Sequence, residues 1–396
     1  MNIKSVKAKT ILDTRGDKTI CVELITDFGK FYASAPNGKS TGKYEAKSYN
    51  GTIVGDINKI NSIKITNIQI ESFNDLKNLE KIFLDKVGAN TMIALEYAFL
   101  KALSYKQKKQ VWQLINPKAK KFPMPVGNAI GGGAHSHPSN NKKPDFQEFL
   151  FIPETNFKKA VEINKRAREN CAEILKNIDK KFRKEKNDEN AWQTSLNNEQ
   201  IMNVVMDVKE NMIDEFGVKI HCGIDLASSQ FFRLADKKYY YKNNIKVLDK
   251  EKQINYASEI ADKFYYLEDP LDEIDFNGFK ELNKKSRGLI VGDDLTVTNL
   301  DRIAKAVKEK SINAVIIKPN QNGSLIAVKD IIEFCKKNKI KTIFSHRSGE
   351  TSEDILADLA FGFQADFIKT GISGRGRDEK LNRLIEIEKF VNNNFI

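Results

Sequence analysis

A short apolar run that stops on a charged or polar residue recurs through the second half of the chain, and this pattern restricts the possible folds most. The runs end at Asp225, Glu268, Asp293, Lys318, His346 and Lys369, and the last four intervals are 25, 25, 28 and 23 residues. That spacing is the length of one strand, one loop and one helix, so the series predicts a βα array. Six such units point to a (β/α)8-type barrel. A doubly wound open sheet is the structural alternative, but no G-x-G-x-x-G follows a first strand, and six polar strand ends suit a barrel mouth better.

Upstream the pattern changes. Residues 19–25 and 30–35 alternate like strands around Asp27-Phe28-Gly29, which predicts an antiparallel hairpin. Residues 76–103 carry apolar side chains at helical spacing with a break near Gly88, which predicts a helix pair beside that sheet. Residues 117–125, with three lysines and three prolines, read as a linker, and a helix is expected around 158–180. The expected organisation is a smaller α+β N-terminal domain, 1–121, followed by an α/β barrel catalytic domain, 122–396. A chain of 396 residues with 40% hydrophobic content is large enough for that pair.

The formal charge of +12 could mark a nucleic-acid binder, but the lysines are spread along the chain and mixed with 53 acidic residues. A solvated Lys-rich surface is the simpler reading, with no specific nucleic-acid partner, and its field would favour a small anionic substrate. No apolar run approaches the roughly 18 to 20 residues of a membrane span, and the first ten residues lack the apolar stretch of a signal peptide. A cytoplasmic protein is expected. Cys21, Cys171, Cys222 and Cys335 are scattered without metal-site spacing, which fits reduced thiols.

Asp225, Glu268 and Asp293 fall at the carboxyl ends of three successive predicted strands, which converge on one face of a barrel. Carboxylates that close repel one another, and a hard divalent cation with oxygen ligands, most often Mg2+, relieves the repulsion. The next strand delivers Lys318 to the same mouth and the last delivers Lys369. An ammonium beside a cation and a second lysine loses part of its preference for the charged form and can serve as a neutral general base. Removal of a weakly acidic proton next to a carboxylate is the chemistry such a set suits.

At the level of longer strings the chain resembles the enolase family along almost its whole length. The most distinctive are Gly292-Asp-Asp-Leu-Thr-Val-Thr-Asn299 and Ser345-His-Arg-Ser-Gly-Glu350. Shorter ones are Leu12-Asp-Thr-Arg-Gly16, Ser40-Thr-Gly42 with Tyr44-Glu-Ala46, Gln147-Glu-Phe149, Glu268-Asp-Pro270 and Ile368-Lys-Thr-Gly371. The resemblance implies a Mg2+-dependent, reversible dehydration of 2-phosphoglycerate to phosphoenolpyruvate, a lyase reaction of glycolysis and gluconeogenesis. It implies that Asp225, Glu268 and Asp293 hold a tighter Mg2+, and that Ser40 ligates a second Mg2+ arriving with substrate. Lys318 would take the C2 proton, and Glu189, with its pKa raised by partial burial near other carboxylates, would protonate the departing C3 hydroxyl. Arg347 and Ser348 would grip the phosphate; His135, Gln147, Glu148, His346 and Lys369 would complete the substrate shell. A homo-oligomer, dimer or larger, is also implied. The competing reading is an enolase-derived paralogue kept for binding with catalysis reduced or lost.

The chain departs from the family pattern at two loops. Around Glu189 it reads Asp188-Glu-Asn-Ala-Trp-Gln-Thr194, where the family usually has glycine after the glutamate and Ala-Pro further on. Ahead of Ser40 it reads Asn37-Gly-Lys39, where the family has small residues. Residues 33–40, ASAPNGKS, satisfy the loose form of a nucleotide-binding P-loop, but they follow an antiparallel hairpin with no βαβ unit in view. His135-Ser-His137 could be half of a metal site, yet no third ligand lies nearby, so a substrate contact is assigned to His135 and no role to His137. Gly371, Gly374 and Gly376, with Arg375 and Arg377, suit a phosphate cradle or a tight loop equally. Trp112 and Trp192 read as packing residues.

Overall fold

The computed structural model describes residues 2–39, 42–63, 68–138 and 142–394. An antiparallel sheet of β1 (Ile3–Leu12), β2 (Lys18–Thr26) and β3 (Lys30–Ser34) opens the chain. The predicted hairpin is β2–β3; β1, which the sequence reading did not include, pairs along the other edge of β2. Among the described residues four α-helices follow: α1 (Ile53–Ser62), α2 (Lys77–Phe83), α3 (Ala89–Gln107) and α4 (Val111–Ile115). Gly88, just before α3, marks the break expected near it. Helix α3 is apolar on nearly every side, because the sheet covers one side and the barrel another.

The barrel strands are β4 (Met124–Pro125), continuing past Val126 into β5 (Gly127–Gly131), then β6 (Glu148–Pro153) and β7 (Ile220–Asp225). Helices α5 (Phe157–Ile178) and α6 (Asn198–Phe216) separate β6 from β7. A small antiparallel insertion follows, made of β8 (Phe232–Arg233), β9 (Lys238–Tyr241) and β10 (Lys246–Leu248). It explains the long first interval between Asp225 and Glu268. The remainder alternates: α7 (Lys250–Ala261), β11 (Tyr266–Glu268), α8 (Phe276–Lys285), β12 (Leu289–Gly292), α9 (Leu300–Glu309), β13 (Ala314–Ile317), α10 (Pro319–Asn322), α11 (Leu325–Lys337), β14 (Lys341–Ser345), α12 (Ile355–Gly362), β15 (Phe367–Lys369) and α13 (Asp378–Asn394). Side-chain caps start several of these helices, among them Asp249, Asp275, Asn299 and Ser324.

The sheet order runs β4, β15, β14, β13, β12, β11, β7, β6, β5. Because β4 and β5 are one continuous run, the sheet closes on itself. Besides the paired helices α5 and α6 and the β8–β10 insertion, the barrel departs from eight identical βα units in strand direction: β6 is antiparallel to both β5 and β7. Among the described residues its connection to β5 carries no crossover helix, and that permits the reversal. The expected linker at 117–125 also ends differently, since its last two residues form β4. Met124 N donates to Asp366 O at 2.9 Å and Val126 N to Ile368 O at 2.8 Å, so the ladder with β15 skips the residue between and Pro125 is tolerated.

Strand periodicity sets what faces inward. Val126, Leu150, Ile152, Tyr266, Leu289, Val291, Ala314, Ile316, Ile343 and Phe367 form one buried cluster inside the barrel. Leu267, Ile290, Val315, Ile317, Phe344 and Ile368 alternate with them and pack outward on the helices. One step of two beyond the inner residues Tyr266, Val291, Ile316 and Phe367 lie Glu268, Asp293, Lys318 and Lys369. Gly223 is the inner residue of β7 before Asp225, and an added Cβ would fall 2.8 Å from Tyr266 Cβ, so the tyrosine fills the room that the glycine leaves.

Candidate active site

Glu148, Asp225, Asp293, Lys318, His346 and Lys369 meet in one cavity at this mouth, together with His135, Gln147, Glu189, Arg347 and Ser348, and Glu268 joins them through Lys369. Glu148 reaches it from the starting end of β6, because the reversed strand begins where its neighbours finish; in register, Glu148 pairs with Asp225 and Asp225 with Glu268. Lys369 Nζ sits 3.0 Å from Glu148, 3.1 Å from Asp225 and 2.8 Å from Glu268. Tyr266 OH donates to Glu268 Oε2 at 2.5 Å, and Gln147 Nε2 donates to Asp225 Oδ2 at 3.2 Å. The carboxylate of Asp293 turns instead to Lys318, with which it forms a close ion pair.

Across the cavity Glu189 is almost fully buried. Its Oε1 lies 3.2 Å from His135 Nδ1 and 3.7 Å from His346 Nε2, and its Oε2 accepts from Asn128 Nδ2 at 3.1 Å. At the rim Arg347 meets Glu45 of the small N-terminal part at 3.0 Å, and Asn320 Oδ1 accepts from Arg347 Nη1 at 3.2 Å. Ser348 Oγ accepts from Arg15 Nη1 and from Lys39 N, both at 2.9 Å. Lys39 Nζ reaches Asp188 at 2.5 Å and His137 Nε2 at 2.6 Å, so His137 makes a polar contact that sequence reasoning had not assigned.

The match to known families settles what this mouth belongs to. Residues 119–395 match the family described as "Enolase, C-terminal TIM barrel domain", and residues 3–115 match "Enolase, N-terminal domain". The chain belongs to the enolase family. Among its relatives, the enolase of Methanosphaera stadtmanae is 35% identical over 403 residues, covering 98% of this chain and 97% of the relative. That of Methanothermobacter thermautotrophicus is 34% identical, with 98% and 97% covered, and that of Archaeoglobus fulgidus 34% identical, with 99% and 98% covered. By enolase membership the chain is a lyase of the phosphopyruvate hydratase class.

Enolases work with a divalent metal, and the donor set here fits one. Asp225, Glu268, Asp269, Asp293 and Asp294 crowd together against two ammonium groups, Lys318 and Lys369. Burial and then the charge of Asp225 push Glu268 up to about 8. Burial and then Asp293 push Asp294 to about 7, and Asp269 stands well above the usual carboxylate range. Such an excess of buried negative charge on hard oxygens suits a dication. One oxygen each of Asp269, Asp293 and Asp294 lies within 4.8 Å of the others, as do ligand atoms of His135, Glu148 and Glu189. Asp269 and Asp294 were not singled out from the sequence, although the doublets Glu268-Asp269 and Asp293-Asp294 carried the signal. Ser40, expected at the second ion, lies outside the described residues.

Two expectations about protonation are corrected. Glu189 was expected to have a raised pKa. Burial does push it upward, but the imidazoles of His135 and His346 outweigh that and hold it well below the usual carboxylate range. The raised member of the pair is Glu148, through burial first and the charge of Glu189 second. Lys318 was expected to lose its proton readily. Burial does push it down, but Asp293 overcomes that and raises it above the ordinary lysine value.

Asn128, Glu45, Arg15 and Arg377 also touch expected site residues and were missed as site members. Arg377 Nη2 donates to Ser348 O at 2.9 Å. The glycines before it adopt positive φ, 68° at Gly371, 109° at Gly374 and 79° at Gly376, so they form a tight loop after β15. Trp112 is fully buried against Phe361, and Arg168 stacks 3.9 Å over Trp192. Among the described residues no helix is long and apolar enough to cross a membrane.

Proposed function

We propose that this chain reversibly dehydrates 2-phosphoglycerate to phosphoenolpyruvate, with Lys318 as the base at C2 and Glu189 as the acid at the C3 hydroxyl. The observation that carries this reading is that Lys318 and Glu189 line one cavity whose rim holds Arg347 and Ser348. Lys318 Nζ takes the C2 proton. The electron pair of that bond ends as the C2=C3 double bond, and the C3–O pair departs with the hydroxyl, which Glu189 protonates to water. Asp225, Glu268 and Asp293 would hold one Mg2+ and Ser40 would serve a second that arrives with substrate; when bound, the ions supply electrostatic stabilisation of charge developing on the substrate carboxylate.

Arg347 grips the phosphate with its planar fork, exchanging the Glu45 carboxylate for the ligand, and Ser348 Oγ adds a further contact. His135, His346, Gln147, Glu148 and Lys369 surround the rest of the substrate. Glu189 stands well below the usual carboxylate range and Glu148 well above it. An incoming polyanion raises every nearby carboxylate, which favours proton uptake by Glu189. Lys318 becomes a base when Asp293 is drawn away from it. In the reverse direction Glu189 accepts the proton of water and Lys318 returns one to C2.

The small domain is taken as 1–121 and the catalytic domain as 122–396, a division supported by family matches that end at 115 and resume at 119. A homo-oligomer, dimer or larger, is the working assembly that the resemblance implies, and the cytoplasm is its working location. The test is ultraviolet absorbance as purified protein meets 2-phosphoglycerate and Mg2+: phosphoenolpyruvate should accumulate, and its absence from folded, metal-loaded protein would sink the reading. Lys318→Ala should abolish exchange of the C2 proton with solvent while leaving substrate binding largely intact. Persistent exchange would remove Lys318 from its role.

A further inference from the structure

The loop that carries Glu189 lacks the glycine usual after this glutamate in the family, yet it is tightly built, and the reason lies in a residue outside the cavity wall. Asn190 N donates to Asn187 O at 3.0 Å and Asn187 N to Ala191 O at 2.9 Å, so residues 187–190 form a turn with Glu189 at its third position. The Asn187 side chain lies inside that turn. Its Oδ1 accepts from Glu189 N at 3.0 Å and from Ala191 N at 2.9 Å, an Asx-type closure from both sides of the glutamate. Its Nδ2 is buried and has no hydrogen-bond partner among the described residues. The hydrogen bonds of this side chain are therefore the two it accepts.

The room for Asn187 comes from another strand. Gly131 ends β5, and its N–H donates to Trp192 O at 3.0 Å, which docks the loop on the strand. A Cβ added at Gly131 would fall 2.1 Å from Asn187 Nδ2 and 3.0 Å from its Cγ. Gly131 does not have the positive φ that demands glycine, so what it supplies is space. The far side of the turn is fixed by Asn190, at φ 66°, whose Nδ2 donates to Ser373 O at 2.9 Å and whose carbonyl accepts from Arg168 Nη2 at 2.7 Å.

We propose that Asn187, seated in the space left open at Gly131, is a positioning residue that aims Glu189 at the leaving hydroxyl. Asn187 touches no reacting atom. It sets the peptide on each side of Glu189, while Asn128 and His135 set the carboxylate itself. Loss of the side chain leaves two N–H groups of the turn without acceptors, lets the loop re-form, and moves the acid. The inference rests on the dehydration reading given above, and it separates the two halves of that reaction: Lys318 acts on C2 from another strand and does not depend on this turn.

The experiment compares C2 hydrogen–deuterium exchange with dehydration in Asn187→Ala and Gly131→Ala, both as full-length, Mg2+-loaded protein whose folding is followed by thermal unfolding. Asn187→Ala empties the space and Gly131→Ala fills it, so they reach the same contact from opposite sides. In each, dehydration should fall about 10- to 100-fold, the range a displacement near 1 Å produces. Exchange at C2 should stay within about twofold of wild type, and the KM for 2-phosphoglycerate should move less than kcat. The double variant should be no better than Asn187→Ala, because relief of the clash does not restore the acceptor. Parallel loss of exchange and dehydration, or no loss of dehydration in Asn187→Ala, overturns the assignment of Asn187. A wild-type protein that shows neither exchange nor dehydration overturns the reaction reading itself.

Discussion

Binding of the divalent ion at controlled pH probes the acidic mouth directly. Glu268 has no exposed surface, and burial with the neighbouring Asp225 pushes it up to about 8 even though Lys369 contacts both its oxygens. A carboxyl with that value is about nine-tenths protonated at pH 7 and must lose its proton before it can ligate a hard cation. Binding of one ion at pH 7 should therefore release about 0.9 proton from this group. The same competition weakens apparent affinity about elevenfold at pH 7, or about 1.4 kcal/mol, and about a hundredfold at pH 6, relative to the fully ionised site.

The sign follows from which form binds. Protons compete below the folded value, so affinity should rise about tenfold from pH 6 to 7 and about fivefold from pH 7 to 8, and level off above that. Calorimetric titration of chelator-stripped protein with Mg2+, in two buffers of different ionisation enthalpy, reads both the affinity and the proton count. Glu268→Gln should bind the ion weakly and lose this part of the pH slope. Affinity that stays constant between pH 6 and 8, with no proton released, would refute the account of Glu268 as a protonated ligand in waiting.

Two further outcomes are expected away from the metal. Glu96 is fully buried in α3, accepts from Leu325 N at 2.9 Å and is raised well above the usual range by burial and by Glu80. Its folded value lies above its unfolded one, so its contribution to stability is largest in acid and is lost as pH rises towards the folded value. Glu96→Gln keeps an oxygen for Leu325 and has no proton to lose, so it should stabilise the fold by about 1–3 kcal/mol at pH 8 and be close to neutral near pH 4. An equal change in unfolding temperature at both values would exclude this explanation. Lys39→Ala removes a partly exposed pair with Asp188, 31% and 21% exposed, which such pairs value at about 0.2–1 kcal/mol. Substrate affinity should fall no more than about fivefold, with the loss shrinking in high salt; a loss of a hundredfold would place Lys39 on the substrate itself.

How much of this was legible in the sequence depends on which physical rule places each residue. Glu268, Asp293, Lys318 and Lys369 were readable because a strand alternates with a period of two, and the step after an inner apolar residue is again inner. Glu148 obeys the same alternation but lies at the start of β6, so a search along strand ends passes over it; only the resemblance pointed there. The insertion β8–β10 hid the regular interval between Asp225 and Glu268. Pro125 suggested a linker because proline lacks a donor, yet its position in β4 needs none.

Protonation was the part that local sequence could not carry. Lys318 is charged because Asp293, 25 residues away, turns to it, and Glu189 is ionised because imidazoles from two distant segments, His135 and His346, flank it. The folded chain thus holds its proposed base above the ordinary lysine value and its proposed acid below the usual carboxylate range, the reverse of what dehydration needs. Lys318 is held by the Asp293 carboxylate, and Glu189 by its contacts with the two imidazoles and with Asn128. A dication drawing on Asp293 and a polyanion pressing on Glu189 act in opposite directions within one cavity, so each corrects the group nearest to it. Neither ligand alone sets both protons, and this is the physical reason why binding of metal and binding of substrate should be coupled in this protein.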